Sequence, residues 1–211
     1  MRLRVSGCEV GQVRRSVAKV VVSAAVLAMS GCAVTQVGLP VGDADVTMPR
    51  PEDTNYGAPR VPAPLDATRL LPTPCDVLTP AQREELNLPA GHPDTDEPIS
   101  KYAGPGCYWT NSDTRNTVGF GFMTTNKKGL SDTYRGRDRF KGYFIPTDVD
   151  GYPAVFSDTG DYRQHGTCVL TTGIADTLTF QVSERGTLGV KSCERLKGIA
   201  AMVVQTITTG R

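Results

Sequence analysis

The strongest constraint on this chain lies in its first 32 residues. Arg2, Arg4, Arg14, Arg15 and Lys19 precede an apolar run, Val20-Val21-Val22-Ser23-Ala24-Ala25-Val26-Leu27-Ala28-Met29, which ends in Ser30-Gly31-Cys32. A basic start, a short apolar core and small residues ahead of a cleavage point are the layout of an export signal. As a helix this core rises only about 15 Å, roughly half of a ~30 Å hydrocarbon layer. It suits a signal core and is too short for a permanent span. The rest of the chain is therefore expected to fold outside the cytoplasm, where cysteines oxidise.

Met29-Ser30-Gly31-Cys32 resembles the lipobox of bacterial lipoproteins, with Met29 where Leu is more usual. The resemblance implies removal of residues 1–31, Cys8 included, and a thioether from the Cys32 thiol to a diacylglyceryl group. Each buried CH₂ contributes about 0.8 kcal/mol, so two or three acyl chains anchor durably. The expected partner is thus the membrane, through the lipid on Cys32, at the extracytoplasmic face. Arg14-Arg15 looks like part of a twin-arginine signal, although general secretion is the default route.

Charge follows the same division. Residues 1–31 carry a formal +4, whereas 32–211 hold 18 basic and 21 acidic residues, a formal −3. A mean hydropathy of −0.24 excludes a polytopic membrane protein. The acidic mature chain argues against a general nucleic-acid binder, so no nucleic-acid partner is expected. From Ala33 to Pro74 there are eight of the 15 prolines and a single aromatic, Tyr56. Such a stretch buries too little apolar surface to offset its ordering entropy. Residues 32–68 are read as the lipidated N-terminus and a disordered, Pro-rich linker, and residues 69–211 as one head domain of ordinary size.

Within the head, Thr79-Pro80-Ala81-Gln82 is a capping box that starts a helix running to about Leu86. Alternation predicts strands at Gly106–Thr110, Thr117–Thr125, Tyr143–Asp148, Ala154–Ser157, Thr167–Ile174 and Thr177–Glu184. A short helix is expected over Leu130–Arg137. The last helix is the clearest: Ser192 caps it, and Leu196, Ile199, Ala200, Val203, Val204 and Ile207 form one apolar stripe. The order is helix, two strands, helix, four strands, helix. That is an α+β head with an antiparallel sheet covered by helices.

Four cysteines remain in the head: Cys75, Cys107, Cys168 and Cys193. An even count in an exported domain reads as a disulfide framework with three possible connectivities. No two lie within four residues, so the spacing of a zinc site is missing, and no metal or cofactor is expected. Cys193 sits on the apolar side of the last helix and faces a sheet that carries Cys168. Cys75 precedes the first helix, and Cys107 begins the first strand. Geometry therefore favours Cys75–Cys107 and Cys168–Cys193.

Pro74-Cys75-Asp76-Val77-Leu78-Thr79-Pro80-Ala81, Gly104-Pro105-Gly106-Cys107-Tyr108-Trp109 and Gly151-Tyr152-Pro153-Ala154-Val155 come one after another in a distinctive order. With Cys168 and Cys193-Glu194, this pattern resembles an uncharacterised family of actinobacterial lipoproteins over about residues 70–208. The resemblance implies location and architecture and supplies no activity. The element order is also similar to the PsbP-like fold of other actinobacterial lipoproteins, on topology alone.

No nucleophile elbow, Walker loop, dinucleotide fingerprint, zincin helix or Ser-x-x-Lys occurs. Asp148-Val149-Asp150-Gly151 lacks the further oxygen ligands of a calcium loop and reads as a turn. His92 falls in a Gly-Pro-rich loop and His165 in the polar run Asp161–Gly166, and His165 with Asp161 is the one conceivable acid–base pair. One cationic patch stands out: Lys127, Lys128, Arg135, Arg137, Arg139 and Lys141 against Asp132 and Asp138, interleaved with Tyr134, Phe140, Tyr143 and Phe144. It is either a surface for anionic lipid or cell-wall phosphate, or a solvated face whose aromatics cover the core. The leading expectation is an extracytoplasmic, membrane-anchored lipoprotein with a non-enzymatic ligand- or partner-binding head. The alternatives are an envelope-acting hydrolase or transferase and a structural accessory subunit of an envelope complex.

Replacing Cys32 removes the one thiol placed to accept the lipid. The Cys32→Ala protein is expected to leave the membrane fraction on a carbonate wash. Retention there would mean that the apolar segment itself is the anchor.

Overall fold

Period-two alternation builds a sheet whose two faces differ sharply. The computed structural model describes residues 54–94 and 98–210. The expected signal peptide, Cys32 and the first part of the linker lie outside the described residues. The elements are β1 (His92–Asp94), β2 (Gly106–Asn111), β3 (Asn116–Phe122), β4 (Tyr143–Val149), β5 (Tyr152–Asp158), β6 (Thr167–Ala175) and β7 (Leu178–Arg185). They are accompanied by α1 (Pro80–Glu85), α2 (Pro98–Ala103), α3 (Leu130–Arg135) and α4 (Lys191–Thr209). The strands form one antiparallel sheet in the order β1-β2-β3-β7-β6-β5-β4. The chain thus lays down one meander, crosses by α3 to the far edge, and returns through four strands until β7 pairs with β3.

The turns are local chemistry. Asp150 and Gly151 both take positive φ, 48° and 83°, between paired Val149 and Tyr152. This is the two-residue turn that an Asp-Gly step favours, and it accounts for the apparent calcium motif. At α1 the capping box forms as expected: the Gln82 backbone donates to Thr79 Oγ1, and the Thr79 backbone donates to Gln82 Oε1.

One face of the sheet is apolar and is covered by α4. Leu196, Ile199, Ala200, Val203, Val204 and Ile207 are all buried, packed in one core with Trp109, Val118, Phe122, Leu170, Phe180 and Val182. The stripe expected from the sequence is therefore the helix–sheet seam. Both expected disulfides are present. Cys75–Cys107 ties a 3-10 turn (Pro74–Val77) to β2, and Cys168–Cys193 ties β6 to α4. Gly91 packs so close to the first bridge that a Cβ there would stand 2.5 Å from both Cys107 Sγ and Trp109 Nε1. The close approach requires glycine.

Three expectations need correction. Ser192 is not the cap of α4: the helix begins at Lys191 after Val190, and the Ser192 hydroxyl is buried without a partner. His92 belongs to an edge strand, β1, not to a loop; its pairing with Tyr108 lies 16 residues away and leaves no periodic signal. Lastly, the linker does not run to residue 68. Ala58, Val61 and Ala67 are buried. The Leu65 amide donates to the Ile174 carbonyl, the Val61 amide donates to Asp176, and Arg60 pairs with Asp176 at 3.1 Å. Ala58 packs with Leu130, Tyr134 and Val155, in a second cluster apart from the main core. The head therefore includes residues from Thr54 onward. Sparse apolar residues without period can still dock as an extended strap, because the sheet supplies the complementary surface.

A chain that starts at Arg69 should accordingly be less stable than one that starts at Thr54. Loss of the buried Val61 contact and of two tertiary hydrogen bonds is worth at least about 2 kcal/mol. Urea unfolding of the two forms measures the difference, and coincident curves would show that the strap contributes nothing.

Candidate functional site

The cationic run folds into a helix, a tight turn and an edge strand, so its charges do not share one plane. α3 stops at Arg135 because Gly136 closes it, and a 3-10 turn (Arg137–Arg139) comes next. All six basic residues are exposed. Arg135 pairs with Asp132 at 2.8 Å, and Arg137 lies over the Phe144 ring at 5.5 Å. Lys127 Nζ donates to the Thr124 carbonyl. Arg139 has no carboxylate partner among the described residues.

Four of the six line two separate clefts. The first, of about 230 Å³, lies between the α3 region and the uncovered sheet face. Arg135, Arg139, Asn126 and Phe140 form one wall, and Thr171 of β6 and Gln181 of β7 form the other. The second, of about 240 Å³, joins Lys127 and Lys128 to Arg60 and Asp176. Sequence reading missed Thr171, Gln181 and Arg60. The first two come from strands some 40 residues downstream, and Arg60 lies in the segment read as linker. The pairing Thr171↔Gln181 is set by sheet register alone.

The aromatics of the patch mostly serve the core. Tyr134 is buried edge-on against Phe144, with centroids 5.0 Å apart, and burial raises its phenol pKa while Arg137 opposes the rise. Tyr143 is buried as well. Its hydroxyl lies 3.9 Å from Cys168 Sγ and accepts from the Val169 amide, and burial again raises its pKa. The two readings of the patch therefore divide by residue type: its aromatics pack inward, and its cations face solvent.

The conceivable acid–base pair is not assembled. Asp161 accepts two hydrogen bonds from the Arg163 guanidinium, at 2.6 and 2.8 Å, and one from its backbone amide at 3.3 Å, which hold its carboxyl at about 2. An acid that strong is a poor proton acceptor near neutral pH. His165 sits exposed in the 3-10 turn Arg163–His165 and makes no side-chain bond to Asp161. His92 stacks on Tyr108, with centroids 5.2 Å apart. Among the described residues, no group of three or more His, Cys, Asp or Glu is placed to hold a metal ion. No helix there is long and apolar enough to cross a membrane.

One buried carboxyl remains. Glu184 of β7 is fully enclosed and pairs through Oε1 with Arg195 of α4, while its Oε2 has no partner. Arg195 also donates to the Leu86 carbonyl at the end of α1. One guanidinium thereby joins sheet, α4 and α1. Burial pushes the Glu184 pKa up, and the charge and hydrogen bond of Arg195 pull it down.

A family model described as protein of unknown function (DUF3558) matches residues 27–206. No curated protein matches. No solved structure matches either.

The raised pKa of Glu184 fixes the sign of a pH dependence. Its contribution to stability is complete below the ordinary value of 4.5 and is lost as pH rises through the higher folded value. Arg195→Met removes the compensating charge. It should cost about 3–5 kcal/mol at pH 8, and distinctly less near pH 4.5, where the carboxyl is largely protonated. Denaturant unfolding at the two pH values measures this. An equal cost at both would mean that Arg195 acts through packing alone.

Proposed function

The chain belongs to the DUF3558 family of proteins of unknown function, and on that premise we propose that it is a lipid-anchored, non-enzymatic binding protein of the actinobacterial type. Residues 1–31 direct export, Cys32 carries the lipid, and the chain up to the strap spaces the head from the membrane. The head binds a phosphate-bearing ligand in the cleft between the α3 region and the sheet.

What supports this reading is Arg139. It lines a concave site beside the amides of Asn126 and Gln181 and the Thr171 hydroxyl, and it has no ion-pair partner among the described residues; Asp132, the carboxylate of the same cleft, is held by Arg135. A guanidinium with spare donors beside neutral hydrogen-bonding groups suits a phosphate oxygen. Arg135 contributes less, because Asp132 already holds it.

The Cys32→Ala protein, free of its lipid, provides the test. At ~10 mM salt, where screening is least, it should bind inorganic pyrophosphate, phosphatidylglycerol vesicles, or both, and release them as salt rises. Vesicle binding alone would identify a headgroup surface, whereas soluble pyrophosphate binding would identify the cleft. Arg139→Gln should weaken binding about fivefold, the equivalent of about 1 kcal/mol per cation, and Arg135→Gln should weaken it less. Indifference to both probes would overturn the reading.

A further inference from the structure

The cleft at Arg139 has a neighbour across Gln181. On the same uncovered sheet face a second groove, of about 480 Å³, begins at Gln181 and runs along β7 past Ser183 to Arg185. The two share Gln181 as a common wall. From Gln181 to Arg185 the strand advances about 13 Å. A bare phosphate would fill only one end of such a site.

The chemistry of the second groove differs from that of the first. Its walls carry the hydroxyls of Thr117, Thr167 and Ser183 and the amide of Gln181, with Val169 as an apolar spot. The Ser183 and Thr167 hydroxyls have no hydrogen-bond partner among the described residues, and both side chains are only partly buried. Gly119 opens the floor: a Cβ there would stand 2.7 Å from Ser183 Oγ. Hydroxyls and amides both donate and accept, as the hydroxyls of a polyol do. Asp158 and Arg185, at the far end, add one acceptor and one donor.

We propose that the combined site takes a phosphorylated saccharide, with its phosphate at Arg139 and its hydroxyl-bearing ring along the Thr167–Ser183 stripe. This rests on the anion-binding reading of the Arg139 cleft and adds the chemistry of the ligand's other end. An apolar tail would leave the hydroxyls of the second groove unpaired, so a lipid chain fits it poorly.

Isothermal titration of the full-length Cys32→Ala protein with glucose 6-phosphate, glucose and inorganic phosphate separates the two readings. Glucose 6-phosphate is expected to bind about tenfold more tightly than inorganic phosphate, a gain of about 1.4 kcal/mol. The double variant Ser183→Ala/Thr167→Val should erase that gain while binding inorganic phosphate as before. Its urea unfolding midpoint shows whether the fold is kept, and Gln181→Leu gives a second variant at the shared wall. Equal affinity for glucose 6-phosphate and phosphate would overturn the saccharide assignment and leave the anion site standing. Binding of neither would overturn both. Glucose 6-phosphate binding that ignores Arg139→Gln would overturn the joint site.

Discussion

The pairing of β3 with β7 is the contact on which the rest depends. It joins residues 117–122 to 180–185 in antiparallel register and unites the first three strands with the last four. Every other strand pair is local by comparison, being made between strands that are consecutive in the chain. Closing so long a loop costs entropy, although only slowly more as the loop lengthens. The return comes from Phe120 opposite Val182 and Phe122 opposite Phe180, all buried. This seam makes the two apolar half-faces into the one surface that the core packs on.

Once the seam exists, α4 has one place to go. Its apolar stripe covers β6 and β7, and two links hold it there: the Cys168–Cys193 bridge and the Glu184–Arg195 pair. They differ in kind. The bridge constrains the unfolded chain. The ion pair adds little net stability, since enclosing a carboxylate costs much of what its partner returns. Arg195 also reaches the end of α1, so the short N-terminal helix is placed by the same residue.

Covering one face with α4 leaves the other partly open. There the strap from Thr54 and the α3 region cover only the β5–β6 side, and the stretch over β3, β7 and β6 stays open and polar. The alternation that makes one face apolar makes the opposite one hydroxyl-rich: Val182 and Glu184 point inward, whereas Gln181 and Ser183 do not. The candidate site is thus a by-product of the same period-two pattern that built the core, with Arg139 brought to its rim by the turn after α3.

Local and periodic features were legible in the sequence alone: the capping box at Thr79, the strands, the stripe of α4, the cysteine pairing and the exposed cations of residues 127–141. Each depends on neighbours within a few residues or on a repeating period. The tertiary structure decided what such patterns do not encode. It placed Ala58 and Val61 against the head, turned His92 into an edge strand, set Tyr134 and Tyr143 inward, and brought Gln181 and Thr171 to Arg139. The proposed export and lipidation signals are local features, read from charge, length and one cysteine. The grooves of the open sheet face are set by register across strands far apart in the chain, and register exists only once the sheet has closed.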